Sequence, residues 1–171
     1  MTELGQQDLA ERRSDYVRDR WPIAASAVIT DTHGQALLVN PSYHRDRWLM
    51  PGGGMERGAS PRATCARELR EELGLDIAVG RLLVVDWIPD DGRLFEEVVF
   101  VFDGGTLDLD TATRIHLPAD ELSGWKFMDP VQAAEHLLPA DARRLEQALY
   151  VKTGDSETAY LEGGLPVTTA R

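Results

Sequence analysis

Residues 51–75, PGGGMERGASPRATCARELREELGL, constrain the fold more than any other stretch of the chain. Ser60 followed by Pro61 is a helix start, a hydroxyl cap with a proline in the first turn, and Gly74 after Leu73 is a stop. Between them Ala66, Leu69 and Leu73 fall at i, i+3 and i+7, an apolar stripe that must be covered. Glu68, Glu71 and Glu72 fall at i, i+3 and i+4, so three carboxylates share one face. Like charges at that spacing repel by about 0.2–0.5 kcal/mol per pair. A solvated face tolerates this, with Arg67 and Arg70 as local partners. The segment Pro51-Gly52-Gly53-Gly54 in front of the helix favours a second reading, because glycine backbone can approach a ligand closely. Carboxylates facing such a loop suit Mg2+ or Mn2+, hard cations that take oxygen ligands.

The flanking sequence supplies strands. Residues 23–30 (IAASAVIT) and 36–39 (ALLV) bracket a turn at Asp31-Thr32-His33-Gly34 and predict a hairpin. Residues 76–87 predict a strand bulged at Gly80, and residues 95–102 (FEEVVFVF) a strand closed by Asp103-Gly104-Gly105. Residues 114–117 and 124–128 predict short strands. Asp129-Pro130 opens a helix, and residues 140–152 form a last amphipathic one. The expected fold is α/β (α+β) with a mixed sheet. Its parts are an N-terminal helical extension over 1–20, a domain over 21–153, and a C-terminal tail over 154–171 with order around Ala159-Tyr160-Leu161.

Composition narrows the classes. The chain has 171 residues, 43% hydrophobic and 27% charged, which are ordinary globular values. No run approaches the roughly 18 apolar residues of a membrane span, and the N-terminus lacks the apolar middle of a signal peptide, so a cytoplasmic protein is expected. The single cysteine, Cys65, excludes an internal disulfide and reads as a small apolar helix residue. A net charge of −11 argues against a broad nucleic-acid footprint, which needs dense Lys and Arg. It leaves room for a small anionic ligand where a metal and a few arginines reverse the local sign.

The segment resembles the signature of the Nudix hydrolases: Gly, five residues, Glu, seven residues, then Arg-Glu-apolar-x-Glu-Glu-x-Gly-apolar. Gly53 opens it, Arg67-Glu68-Leu69 and Glu71-Glu72 match, and Gly74-Leu75 close it. The first Glu falls on Ala59. The resemblance covers about residues 23–152 in element order, with motif-level specificity in the box alone. It implies an α/β/α sandwich that hydrolyses the pyrophosphate bond of a nucleoside diphosphate linked to another moiety, by attack of metal-activated water on phosphorus. It also implies Mg2+ or Mn2+ held by Glu68, Glu71, Glu72 and the Gly52 carbonyl, with Glu68 doubling as general base and Arg67 orienting the carboxylates.

A further acid outside the box is expected, either Glu96 or Glu97; neighbours in a strand face opposite ways, so at most one reaches the site. Glu97 is taken as the catalytic candidate. Arg45, Arg47, Trp48 and Trp87 are the candidates for substrate binding, with Tyr43 and Phe95 as further aromatic candidates. Dimers are common in the family, and a homodimer is a candidate assembly. The Ala59 position leaves two readings open. In one the enzyme is active and Glu56 takes over the contact to Arg67. In the other a weak or inactive domain binds a nucleotide-linked ligand as a sensor.

Overall fold

The computed structural model describes residues 22–43, 46–90, 96–154 and 156–167. The N-terminal helical extension expected over residues 1–20, Arg45 and Phe95 lie outside them. The strands are β1 (Ile23–Thr30), β2 (Ala36–Pro41), β3 (Gly52–Gly54), β4 (Leu82–Ile88), β5 (Glu97–Thr106), β6 (Leu122–Met128), β7 (Ala159–Glu162) and β8 (Leu165–Pro166). The helices are α1 (Pro61–Leu73), α2 (Leu109–Ala112), α3 (Pro130–His136) and α4 (Pro139–Thr153).

Eight strands make one mixed sheet in the order β6-β2-β1-β5-β4-β7-β8, with β3 paired to β1 off that path. β1 runs parallel to β5 and antiparallel to β3, while β4 runs parallel to β7. Period-2 alternation divides β1 and β2 between two cores. Ala25, Ala27, Ile29, Leu37 and Val39 gather with Cys65, Leu69 and Leu73 of α1. Val28, Ala36, Leu38, Val99 and Val101 gather with Leu145, Ala148 and Val151 of α4. The result is the expected sandwich, with α1 on one face and α4 on the other.

Helix α1 has the predicted ends. Ser60 Oγ accepts the Ala63 N–H at 3.2 Å, and Gly74, at φ 66°, donates its N–H to Arg70 O at 3.0 Å. Burying a leucine is worth about 1.5–3 kcal/mol, so the fully buried Leu69 and Leu73 outweigh the repulsion among the carboxylates. Cys65 is buried, and burial pushes its thiol up to about 12.

Five stretches differ from the sequence expectations. The glycines before the helix form β3, an edge paired with Ala24, Ala25 and Ser26. Residues 114–117 form no strand; His116 donates its N–H to Leu73 O at 3.0 Å, and Ile115 and Leu117 pack into the α1-side core, which accounts for their apolar spacing. Strand β4 begins at Leu82, because Gly80 is tied to Asp103 O at 2.6 Å and Val79 is already packed in the α1-side core. Strand β5 runs on through Gly104, whose missing Cβ leaves room for Ile29. Residues 159–166, placed in the tail by sequence, supply β7 and β8, and Leu161 is fully buried.

Candidate active site

Strand β3 and helix α1 meet along a line of close contacts. Gly53 lies against Glu68: a Cβ on that glycine would stand 2.6 Å from the carboxyl carbon and 2.7 Å from either oxygen. One residue earlier, the Gly52 N–H donates to Glu72 Oε2 at 2.7 Å. Gly52 has φ 145°, and its Cβ position is filled by Ala25 O and Ser26 of β1. No side chain fits at Gly52, and one at Gly53 would displace the Glu68 carboxylate.

Arg67 is the hub. Its Nη2 donates to Glu68 Oε1 at 2.7 Å and to Gly54 O at 3.3 Å, and its Nη1 donates to Glu71 Oε2 at 2.7 Å. Glu56 Oε1 lies 3.6 Å from the same Nη1. Ala59 closes a turn with its N–H on Glu56 O at 3.3 Å. The glutamate that stands beside Arg67 therefore comes from position 56, three residues before the alanine. Desolvation works against the Arg67 charge, but Glu68, Glu71 and Glu56 outweigh it and hold the guanidinium above its ordinary value.

The carboxylates differ in burial. The Glu68 side chain is 15% exposed and that of Glu71 53%. Burial raises the Glu68 carboxyl, against the pull of Arg67. Burial pushes Glu72 up to about 8; the Gly52 N–H lowers it, and Glu68, Glu121 and Glu71 raise it further. Glu121 also raises Glu68. It sits in the turn before β6, with its N–H on Pro118 O at 3.0 Å. Sequence reasoning missed it, because nothing in its local sequence ties it to the box.

The other described candidates are spread over several elements. Glu97, the first residue of β5, has Arg144 and Asp141 of α4 as its charged neighbours and is raised chiefly by burial. It lines an open hollow of about 680 Å3 together with Pro22, Ile23 and residues 54–58. Glu96 precedes the strand and is half-buried. Trp48 packs against the α4-side core, its ring centroid 6.5 Å from that of His136. Trp87 follows Asp86, which faces α4, so Trp87 lies on the opposite face. Arg47 and Tyr43 are exposed.

A family model described as the NUDIX domain matches residues 20–149. The chain belongs to the Nudix family. Among its relatives is diphosphoinositol polyphosphate phosphohydrolase 3-alpha of Mus musculus, 31% identical over 129 residues that cover 75% of this chain and 76% of that one. Diphosphoinositol polyphosphate phosphohydrolase 2 of Mus musculus is 41% identical over 129 residues, 75% and 69% of the two chains. The RNA pyrophosphohydrolase of Roseobacter denitrificans is 28% identical over 131 residues, 67% of this chain and 76% of that one. The crystal structure of a UDP-X diphosphatase shares the fold at a TM-score of 0.70 and 23% identity, covering 91% of this chain and 74% of that one.

The protein is thus a Nudix hydrolase, and hydrolases of this family generally use a divalent metal. The donor set suits one: Glu68, Glu71 and Glu72 bring carboxylate oxygens to this face of α1 around Arg67, with the backbone of β3 beside them. Among the described residues no three His, Cys, Asp or Glu side chains converge on one point. Arg67 draws Glu68 and Glu71 to itself, and the Gly52 N–H draws Glu72. The Nudix carboxylates are held by protein partners that a cation of higher charge would compete with.

Proposed function

We propose that this Nudix hydrolase cleaves the pyrophosphate bond of a nucleoside diphosphate linked to another moiety, a sugar or a nucleotide. The observation that carries the reading is the carboxylate cluster of α1: Glu68 and Glu71 gathered at Arg67, Glu68 against Gly53, and Glu72 held by the Gly52 N–H. Glu68, Glu71, Glu72 and the Gly52 carbonyl would hold Mg2+ or Mn2+. Such an ion supplies charge neutralisation at the phosphate oxygens and lowers the pKa of water.

The chain's own residues do the rest. Glu68, the less exposed carboxylate at Arg67, takes the proton of the attacking water. Glu72 anchors β3 to the helix through the Gly52 N–H and so keeps backbone and carboxylates in one frame. Arg67 orients Glu68 and Glu71, with Glu56 completing the shell that Ala59 leaves open. Glu121, whose charge raises Glu68 and Glu72, joins Glu96 and Glu97 as a candidate for the acid from outside the box. Glu97, the outside acid expected from the sequence, also serves the substrate. Arg47, Trp48 and Trp87 remain candidates for substrate contact. A homodimer in the cytoplasm belongs to the same proposal, and light scattering tests the assembly.

The test is incubation with nucleoside diphosphate sugars, dinucleotides and nucleoside triphosphates with Mg2+, followed by detection of phosphate and nucleotide. Metal-dependent release from at least one supports the reading. Ala59 is the observation that favours the sensor instead. Thermal stabilisation by a panel member, with no turnover of any, would establish it.

A further inference from the structure

The hollow beside Glu97 shares a wall with the catalytic cluster. Gly54, whose carbonyl accepts from Arg67, lines it, and so does Glu56, 3.6 Å from that arginine. Whatever is joined to a pyrophosphate at the cluster therefore has this space beside it. Among the described residues that line it, Glu56, Arg57 and Glu97 carry charge, so carboxylates outnumber basic groups there.

Arg144, the buried cation whose charge Glu97 feels, is already committed. Arg144 donates from Nε to Asp86 Oδ2 at 2.7 Å and from Nη1 to Asp141 Oδ1 at 2.6 Å. Its Nη2 is buried and makes no hydrogen bond, so it does not bind the Glu97 carboxylate. Glu97 feels Arg144 and Asp141 as opposed charges and keeps acceptor capacity for the hollow. A carboxylate so placed accepts hydrogen bonds from hydroxyl groups. Toward a phosphate, which brings about −1.5 to −2 charges at neutral pH, it is repulsive.

We propose that this hollow selects substrates by charge: it seats the uncharged, hydroxyl-bearing part of the substrate with Glu97 as acceptor, and it disfavours polyphosphorylated moieties. The inference rests on the pyrophosphohydrolase reading and sets this chain apart from the diphosphoinositol polyphosphate phosphohydrolases it resembles. Glu97 is a specificity-determining residue, since loss of a hydroxyl-to-carboxylate bond costs about tenfold or more in binding while leaving the reacting atoms untouched.

The experiment compares UDP-glucose with a diphosphoinositol polyphosphate as substrates, and UDP-glucose with inositol hexakisphosphate as ligands by calorimetry, on the wild type and Glu97→Gln. The wild type should turn over and bind the sugar nucleotide and leave both inositol compounds nearly untouched. Glu97→Gln should raise the sugar nucleotide KM about tenfold with kcat changed by less than about threefold. It should also narrow the gap in affinity between the two ligands. Tight binding of inositol hexakisphosphate by the wild type, or a variant with unaltered KM, overturns the inference whether or not turnover is seen. Failure to hydrolyse any pyrophosphate, with the binding preference intact, overturns the hydrolase reading and leaves the charge selection standing. Failure to bind the sugar nucleotide at all sinks the inference.

Discussion

Arg67 holds the site together, and its partners decide what Ala59 means. A residue that holds a ligand in place typically contributes about 10–100-fold to metal affinity or activity. The gap left by Ala59 is therefore a handicap unless another acid fills it. Glu56 lies 3.6 Å from Arg67 but is 70% exposed, so it is a loose substitute. Glu56→Gln should lower turnover about 10-fold with little change in melting temperature. Ala59→Glu, placed on that background, should recover most of the loss. Steady-state kinetics on both variants checks this; equal activity in wild type and Glu56→Gln would show that Arg67 needs no acid from this turn. The spacing of Arg67, Glu68, Glu71 and Glu72 made their shared face legible from sequence, because helical periodicity fixes it. Glu121 was illegible, since only the folding of β6 against β2 brings its charge near theirs.

At the scale of elements, β3 and α1 form one unit, and two adjacent glycines should show it in opposite ways. The atoms nearest a Cβ at Gly53 are the end of the Glu68 side chain, which can swing aside. Gly53→Ala should therefore keep the fold while displacing a carboxylate, lowering turnover about 10–100-fold. A Cβ at Gly52 meets the backbone of β1, and φ 145° suits no other residue well. Gly52→Ala should cost about 1–3 kcal/mol of stability, read by denaturant unfolding. Similar losses of stability in the two variants would contradict the geometry. The helix ends were written in the sequence by Ser60, Pro61 and Gly74, each acting within a turn. The strand status of the glycines was not, because it depends on hydrogen bonds to Ala24, Ala25 and Ser26, some thirty residues away. Ile115 and Leu117 misled for the same reason: apolar spacing reports burial, and burial under α1 needs no partner strand.

For the whole molecule, the far side of the sheet is fastened by charge. Asp86 is fully buried, bonded to Arg144 and, through its other oxygen, to the Gly164 N–H at 3.1 Å in the β7–β8 turn. Arg143 adds a bond to Gly163 O at 2.7 Å. Helix α4, β4 and the last hairpin are thereby joined, and Glu97 feels the charges of Arg144 and Asp141 in that joint. Removing one member of a buried pair strands the other, at about 3–5 kcal/mol. Arg144→Met should lose stability on that scale in chemical denaturation, and a loss under about 1 kcal/mol would show the pair to be dispensable. Among the described residues no helix is long and apolar enough to cross a membrane, and every layer is accounted for by the two cores.

The central claim is that crowded carboxylates on α1 exist to hold a divalent cation against a pyrophosphate. It is tested most directly by nucleotide release from the best substrate of the panel, measured with and without Mg2+, for the wild type and Glu72→Gln. The glutamine keeps an oxygen for the Gly52 N–H but cannot ionise to hold a cation. We expect Mg2+-dependent turnover in the wild type, a loss of at least about 100-fold in Glu72→Gln, and an unchanged unfolding transition. Turnover in Glu72→Gln equal to that of the wild type, or wild-type turnover indifferent to a chelator, would contradict the claim.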